Sequence, residues 1–221
     1  MSSNHSQEFV HRFFSPQYDL ERVAMPDGRY YRLPSGKLVP SVTTVLSKLD
    51  SKKLDRWRER VGEEEANKIS AQARTRGTAV HELCERYLLN EDIDPSSAMP
   101  FNFSEFKKLR PILKEHVGLI YGIEYRLFSE ELNAAGTSDL ICQWKGQNAI
   151  VDFKTSKYEK KESDIQHYFI QAACYAMMVE ELYLVSIPKI VIMMTVDHDN
   201  PVIFEKLKLE YEHKVRSIFC Q

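Results

Sequence analysis

The chain has no pair of cysteines at close spacing. Cys84, Cys142, Cys174 and Cys220 are widely separated and form no Cys-x-x-Cys unit, which excludes an iron–sulfur cluster on clustered cysteines and leaves reduced, mostly buried thiols as the expected state. No apolar run is long enough to span a bilayer, so no membrane role is expected. The opening Met1 to Gln7 is polar, without the apolar stretch of a secretory signal, and acidic residues arrive early at Glu8, Asp19 and Glu21, unlike an Arg-rich presequence. Internal repeats and low-complexity segments are missing too. A formal net charge of -2 provides no global field for a polyanion, so any such binding must rest on local basic clusters. Three exist: Lys52, Lys53, Arg56, Arg58 and Arg60; Lys107, Lys108, Arg110 and Lys114; and Lys154, Lys157, Lys160 and Lys161. Each alone reads as the solvated face of an amphipathic segment.

What is present is an ordinary globular composition: 221 residues, 43% hydrophobic and 28% charged, enough for one well-buried domain with an appended subdomain. The organising stretch runs from Gly136 to Thr155. Two β-prone runs, Leu140 to Trp144 and Ala149 to Phe153, flank the polar break Lys145 to Asn148, which reads as a hairpin turn. Residues two apart on a strand share a face, so Asp152 and Lys154 project together, and Asp139 can approach them from the neighbouring strand. Carboxylates of this kind can hold a hard cation, and the Lys then stands beside the water that the cation polarises. The chemistry suits cutting a phosphodiester.

In chain order, residues 1–17 read as a tail with apolar docking through Phe9, Phe13 and Phe14. Tyr18 to Val39, with turns at Pro26-Asp27-Gly28 and Pro34-Ser35-Gly36, reads as a small β-ribbon. Its Tyr30 and Tyr31 can stack on bases, or one of the pair packs inward. Ser41 can cap a short helix to Leu49, and Ser51 can open another. Glu63 to Leu89 reads helical with an interruption at Arg76-Gly77. His81 and Glu85 follow Gly77 at one-turn spacing on a face away from the apolar stripe. Ser104 can cap a helix containing Pro111, and Gly118 to Phe128 reads as a strand with Glu124 outward. Ser163 to Gln166 is a capping-box candidate for a helix to about Leu182, with Tyr168 in its core stripe and Gln171 and Tyr175 on another face. Lys189 to Val196 suits a buried strand, and Ile203 to Phe219 a short strand and a terminal helix.

Gly136-x-x-Asp139 followed by Asp152-x-Lys154-Thr155 resembles the signature of the PD-(D/E)XK nucleases in their RecB-like form. Val39 to Leu46, Leu54 to Ala66, Arg76 to His81, Glu124 to Asp139, and Gln171 to Tyr175 are similar to the mitochondrial genome maintenance exonuclease family and its phage relatives. The resemblance implies an α/β fold with a restriction-endonuclease-like core of helix, three strands, helix and strand over residues 77–221, preceded by a β-ribbon and helical DNA-guiding subdomain over 18–76. It implies a metal-dependent deoxyribonuclease. Asp139, Asp152, the Phe153 carbonyl and His81 would hold one or two Mg2+ or Mn2+ ions, with Glu124, or less closely Glu130, as a further acidic position. Lys154 would orient or deprotonate the attacking water, while Gln171 and Tyr175 would position the scissile strand. The expected substrate is single-stranded DNA with a free end. Replication or recombination proteins are candidate partners. The expected setting is a bacterial or phage-infected cytoplasm, or the mitochondrial matrix if a presequence was removed. An endonuclease on the same core and a non-catalytic nucleic-acid-binding module are the competing readings.

Overall fold

The computed structural model describes residues 8–49 and 51–220, with the side chains of residues 51–53 excluded. The expectations placed on Met1 to Gln7, and on the Lys52 and Lys53 side chains, lie outside the described residues.

Alternation and turn chemistry produce a five-stranded mixed sheet. Strands β4 (Val117–Ser129), β5 (Ala134–Trp144) and β6 (Gln147–Ser156) form an antiparallel meander. Helix α5 (Gln166–Tyr183) then crosses over so that β7 (Lys189–Val196) runs parallel to β6, and β8 (Val202–Leu207) closes the far edge antiparallel to β7. The β5–β6 turn is shorter than the polar break suggests. Only Lys145 and Gly146 lie between the strands, at φ +50° and +80°, the left-handed pair that a two-residue hairpin needs.

Period-two alternation sends Ile141, Ile150, Ile190 and Ile192 to one face, where α5 and α6 (Leu209–Phe219) cover them with Val42 and Leu46 of α1 (Val42–Leu49). Leu140, Cys142, Val151, Phe153 and Met193 go to the other face, under α3 (Glu63–Leu88) and α4 (Pro100–His116). Cys84, Cys142 and Cys174 are buried in these layers and Cys220 is exposed, all four as free thiols. No helix among the described residues is long and apolar enough to cross a membrane.

Before this body come a ribbon of β1 (Glu21–Met25), β2 (Gly28–Arg32) and β3 (Leu38–Pro40), and helix α2 (Ser51–Val61). Tyr31 is buried against Leu20, Val39 and Phe128, whereas Tyr30 turns outward and donates its hydroxyl proton to Asp27 (2.8 Å). Ser41 caps α1 by accepting the Thr44 N–H at 3.0 Å.

Several local expectations are corrected. Helix α3 runs unbroken through Arg76-Gly77: the cost of one helical glycine, about 1 kcal/mol, is small beside the burial of Val80, Leu83, Cys84 and Leu88. Helix α4 starts at Pro100 rather than at a Ser104 cap, and Pro111 lies inside it without splitting it. Ser163 does not cap α5, because a 3-10 turn over Glu162–Ile165 intervenes, with Asp164 accepting the Lys161 N–H (3.3 Å). The expected docking of the tail is present at Phe9 and Phe14 but not at Phe13, which is exposed, and the backbone is held as well. Val10 and Arg12 bond the Ile120 backbone (2.9 and 2.7 Å) along the free edge of β4, the Asn90 amide clasps both backbone groups of Phe9, and Phe14 stacks between Tyr121 and Tyr183.

Candidate active site

The site is made by a fork in the sheet. Registered pairing of β5 with β6 ends at Leu140↔Val151, while β4 stays paired with β5 to Ser129↔Ala134 and β6 with β7 to Ser156↔Val196. Beyond Leu140 the two strands part, and the Phe153 N–H loses its strand partner. The Asp139 carboxylate takes it, at 2.7 Å, which satisfies a backbone donor that would otherwise be stranded.

Continuing the registers one residue places Glu124 of β4, Asp139 of β5 and Asp152 of β6 in a single row across three strands. Glu124 adopts φ +44°, a left-handed conformation that costs a non-glycine residue roughly 1–3 kcal/mol. Helix α3 brings His81 to the row, its Nδ1 3.5 Å from Asp139 Oδ2 and its ring edge-on to Phe153. One ligand atom from each of His81, Glu124 and Asp139 falls within 4.8 Å of the others. An imidazole nitrogen with carboxylate oxygens is a donor set that fits a divalent cation. Asp152 lies beside this group rather than in it: its carboxylate is buried, with Oδ2 2.5 Å from Lys154 Nζ and Oδ1 accepting from Gln171 Nε2 at 3.4 Å. Apart from the ammonium, Oδ2 has no hydrogen-bond partner.

These carboxylates are crowded. Burial, then the charges of Asp139, Glu85 and Asp152, push Glu124 up to about 7 even though solvent reaches its side chain. Burial also pushes Asp152 up, against the pull of Lys154. Burial disfavours the Lys154 ammonium, but Asp152 and Asp139 outweigh it, so its proton affinity rises. Tyr175 is raised well above the usual phenol range by burial first and then by Asp152.

Helix α5 fills the crotch of the fork. Tyr175 packs so closely on Gly136 that a Cβ there would lie 2.7 Å from its ring. The surrounding cleft, about 600 Å³, is lined by His81, Glu124, Asp139, Lys154, Gln171 and Tyr175 among others. Glu130 is elsewhere, accepting the Ser35 hydroxyl proton at 2.8 Å.

Four features escape sequence reading. Tyr168, packed against the core as its place on the apolar stripe predicts, also presents its ring to Lys154 at 4.9 Å. Arg76, one residue before the glycine, binds both oxygens of Asp197 (2.9 and 2.7 Å), tying α3 to the end of β7. Arg22 and Arg29 of the ribbon line the cleft. The cluster on α4 is partly committed elsewhere, with Lys108 paired to buried Glu105 and Arg110 over Tyr87. Helical i, i+4 spacing does foreshadow Glu85 beside His81; nothing local foreshadows the others.

A mixed α/β fold with a histidine–carboxylate–lysine cleft is the class that the geometry defines. No family model matches the chain. In sequence it is related to a nuclease: it is 28% identical over 168 residues to mitochondrial genome maintenance exonuclease 1 of Homo sapiens, covering 70% of this chain and 48% of that protein. The chain thus spans about half the length of the curated relative it matches. Among solved structures, one named "Putative exonuclease" from Eubacterium rectale is 16% identical, covers 64% of each chain and superposes with a TM-score of 0.42, a likeness too slight to bear on function.

Proposed function

We propose that the protein is a metal-dependent deoxyribonuclease on a RecB-like PD-(D/E)XK core, hydrolysing single-stranded DNA from a free end. The observation that carries this reading is the acidic row Glu124–Asp139–Asp152, opened by the sheet fork and joined by His81 and Lys154. His81, Glu124 and Asp139 would hold a Mg2+ or Mn2+ ion, with Asp152 and the Phe153 carbonyl as further candidates. Such an ion supplies Lewis-acid stabilisation of the phosphate and of the attacking and leaving oxygens.

The chain's own groups do the rest. Because the carboxylates raise its proton affinity, Lys154 is an ammonium at neutral pH. Of the two roles open to it, orienting water and donating to a non-bridging phosphate oxygen fit that state, and deprotonating water does not. Asp152, with the Tyr168 ring, fixes where that ammonium points. Gln171 holds Asp152 and, with the neutral Tyr175 hydroxyl, offers donors to the scissile strand. Attack by water breaks the P–O3′ bond and leaves a 5′-phosphate and a 3′-hydroxyl. The similarity to a protein named an exonuclease supports the requirement for an end.

The test is digestion of end-labelled linear and circular single-stranded DNA with magnesium, manganese or chelator, alongside Lys154→Ala. Metal-dependent loss of the linear strand alone, abolished in a variant that still unfolds cooperatively, is the expected result. Cutting of the circle moves the assignment to an endonuclease. Binding without cutting of either substrate makes the protein a nucleic-acid-binding module.

A further inference from the structure

We propose that one face of the β-ribbon is the wall along which the uncut single strand lies, with Arg22 and Arg29 each meeting a backbone phosphate. This rests on the nuclease reading above and adds to it where the strand runs.

The argument is one of register and charge. Arg22 pairs with Tyr31 and Ala24 with Arg29; directly paired residues share a face, as do residues two apart, so both arginines are on the Tyr31 face. That face is the one lining the cleft with Lys154. On the opposite face the cations are already committed. Arg32 pairs with Glu21 at 2.7 Å, and Lys48 with Asp27 at 2.8 Å. Among the described residues no carboxylate pairs with Arg22 or Arg29, and both are exposed. Two uncommitted guanidiniums beside a phosphodiester site are the complement of a polyanion.

The other end of the cleft has the opposite character. A second cavity of about 590 Å³ shares Glu85 and Glu124 with the first, and is otherwise lined by Phe13, Tyr18, Asp19 and Arg126 among others. Its Arg126 is taken up by Asp19. Of the described basic groups that line the two cavities, Arg126, Lys154 and His81 each face a carboxylate, which leaves Arg22 and Arg29 as the unpaired positive groups, so the intact strand extends along the ribbon.

Binding of labelled oligothymidylate, followed by fluorescence anisotropy over a salt series in chelator, tests this without any cleavage. Each phosphate contact contributes about 0.7 to the slope of log affinity against log salt for a single strand. Arg22→Gln with Arg29→Gln should reduce that slope by about 1.4 and so weaken binding about 25-fold at 0.1 M salt relative to any difference at 1 M. The corresponding double lysine variant should keep the slope, and Arg32→Gln, on the other face, should leave it unaltered. An unchanged slope in the glutamine pair, checked for a wild-type unfolding midpoint, overturns the ribbon path even if wild-type protein digests linear DNA. A reduced slope in a protein that cuts nothing supports the ribbon path and overturns the nuclease reading instead. If the glutamine pair fails to fold, each single variant, expected to remove about 0.7, carries the same decision.

Discussion

Glu124 is held at φ +44° in mid-strand, opposite one carboxylate and close to others, an arrangement that disfavours folding unless something positive arrives. Its proton affinity in the fold, about 7, stands above the ordinary value of 4.5, with burial the larger cause and Asp139 next. Between those two values the folded state binds the extra proton, so this group's contribution to stability is complete below the lower value and is lost as pH rises through the upper one. A divalent cation at the cluster should reverse that loss, because it binds the folded state and favours the ionised carboxylate. In chelator, the wild-type thermal midpoint should therefore fall between about pH 5 and pH 8 more steeply than that of Glu124→Gln. Manganese should restore the wild type more than the variant. Equal pH slopes for the two proteins would remove Glu124 from the cluster.

The elements explain why the row stays open. Tyr175 on α5 occupies the space where a side chain at position 136 would go, so Gly136→Ala forces the helix away from β5. A loss of about 1–3 kcal/mol is expected in denaturant unfolding, with a fall in cleavage because Gln171 moves with Tyr175. Gly77→Ala is the contrast: its Cβ would meet Thr155 Oγ1 at an ordinary 3.6 Å, and the helix gains up to about 1 kcal/mol. If both variants were equally stable, close packing in the fork would not be what places α5. The same elements separate what can be read from sequence from what cannot. The β5–β6 hairpin, and the side-by-side Asp152 and Lys154, are legible because period-two alternation and Lys145-Gly146 are local signals. The end of pairing at Leu140 is not, since it depends on how two packed layers pull the strands apart. Gly77 misleads for the same reason: propensity marks a break, and the tertiary burial of α3 overrides it. Arg22 and Arg29 carry no local signal at all, because only the ribbon's register decides which cations face the cleft and which face acids.

At the scale of the whole molecule, a second charge network acts with the opposite sign. Glu205 on β8 accepts hydrogen bonds from Trp144 Nε1 (3.0 Å), Lys145 Nζ (2.5 Å) and Lys189 Nζ (3.0 Å), tying the sheet's far edge to the β5–β6 turn and to β7. Burial alone would raise this carboxyl, but those donors outweigh it and hold it at about 2, below its ordinary 4.5. Its stabilisation is accordingly present above the upper value and lost as pH falls toward the lower. The metal-free protein is thus limited from both sides, by Glu205 in acid and by the crowded row as pH rises from about 5 toward neutrality, and a bound cation relieves only the second limit. Glu205→Gln should cost about 2 kcal/mol near pH 7 in urea unfolding, with the difference from wild type shrinking toward zero as pH approaches about 2. The added cation should leave that difference unchanged, since the network is remote from the cluster. A penalty that stayed constant with pH would mean that Glu205 holds the sheet edge by shape and neutral hydrogen bonding, and the acid limit would then have to come from another carboxylate.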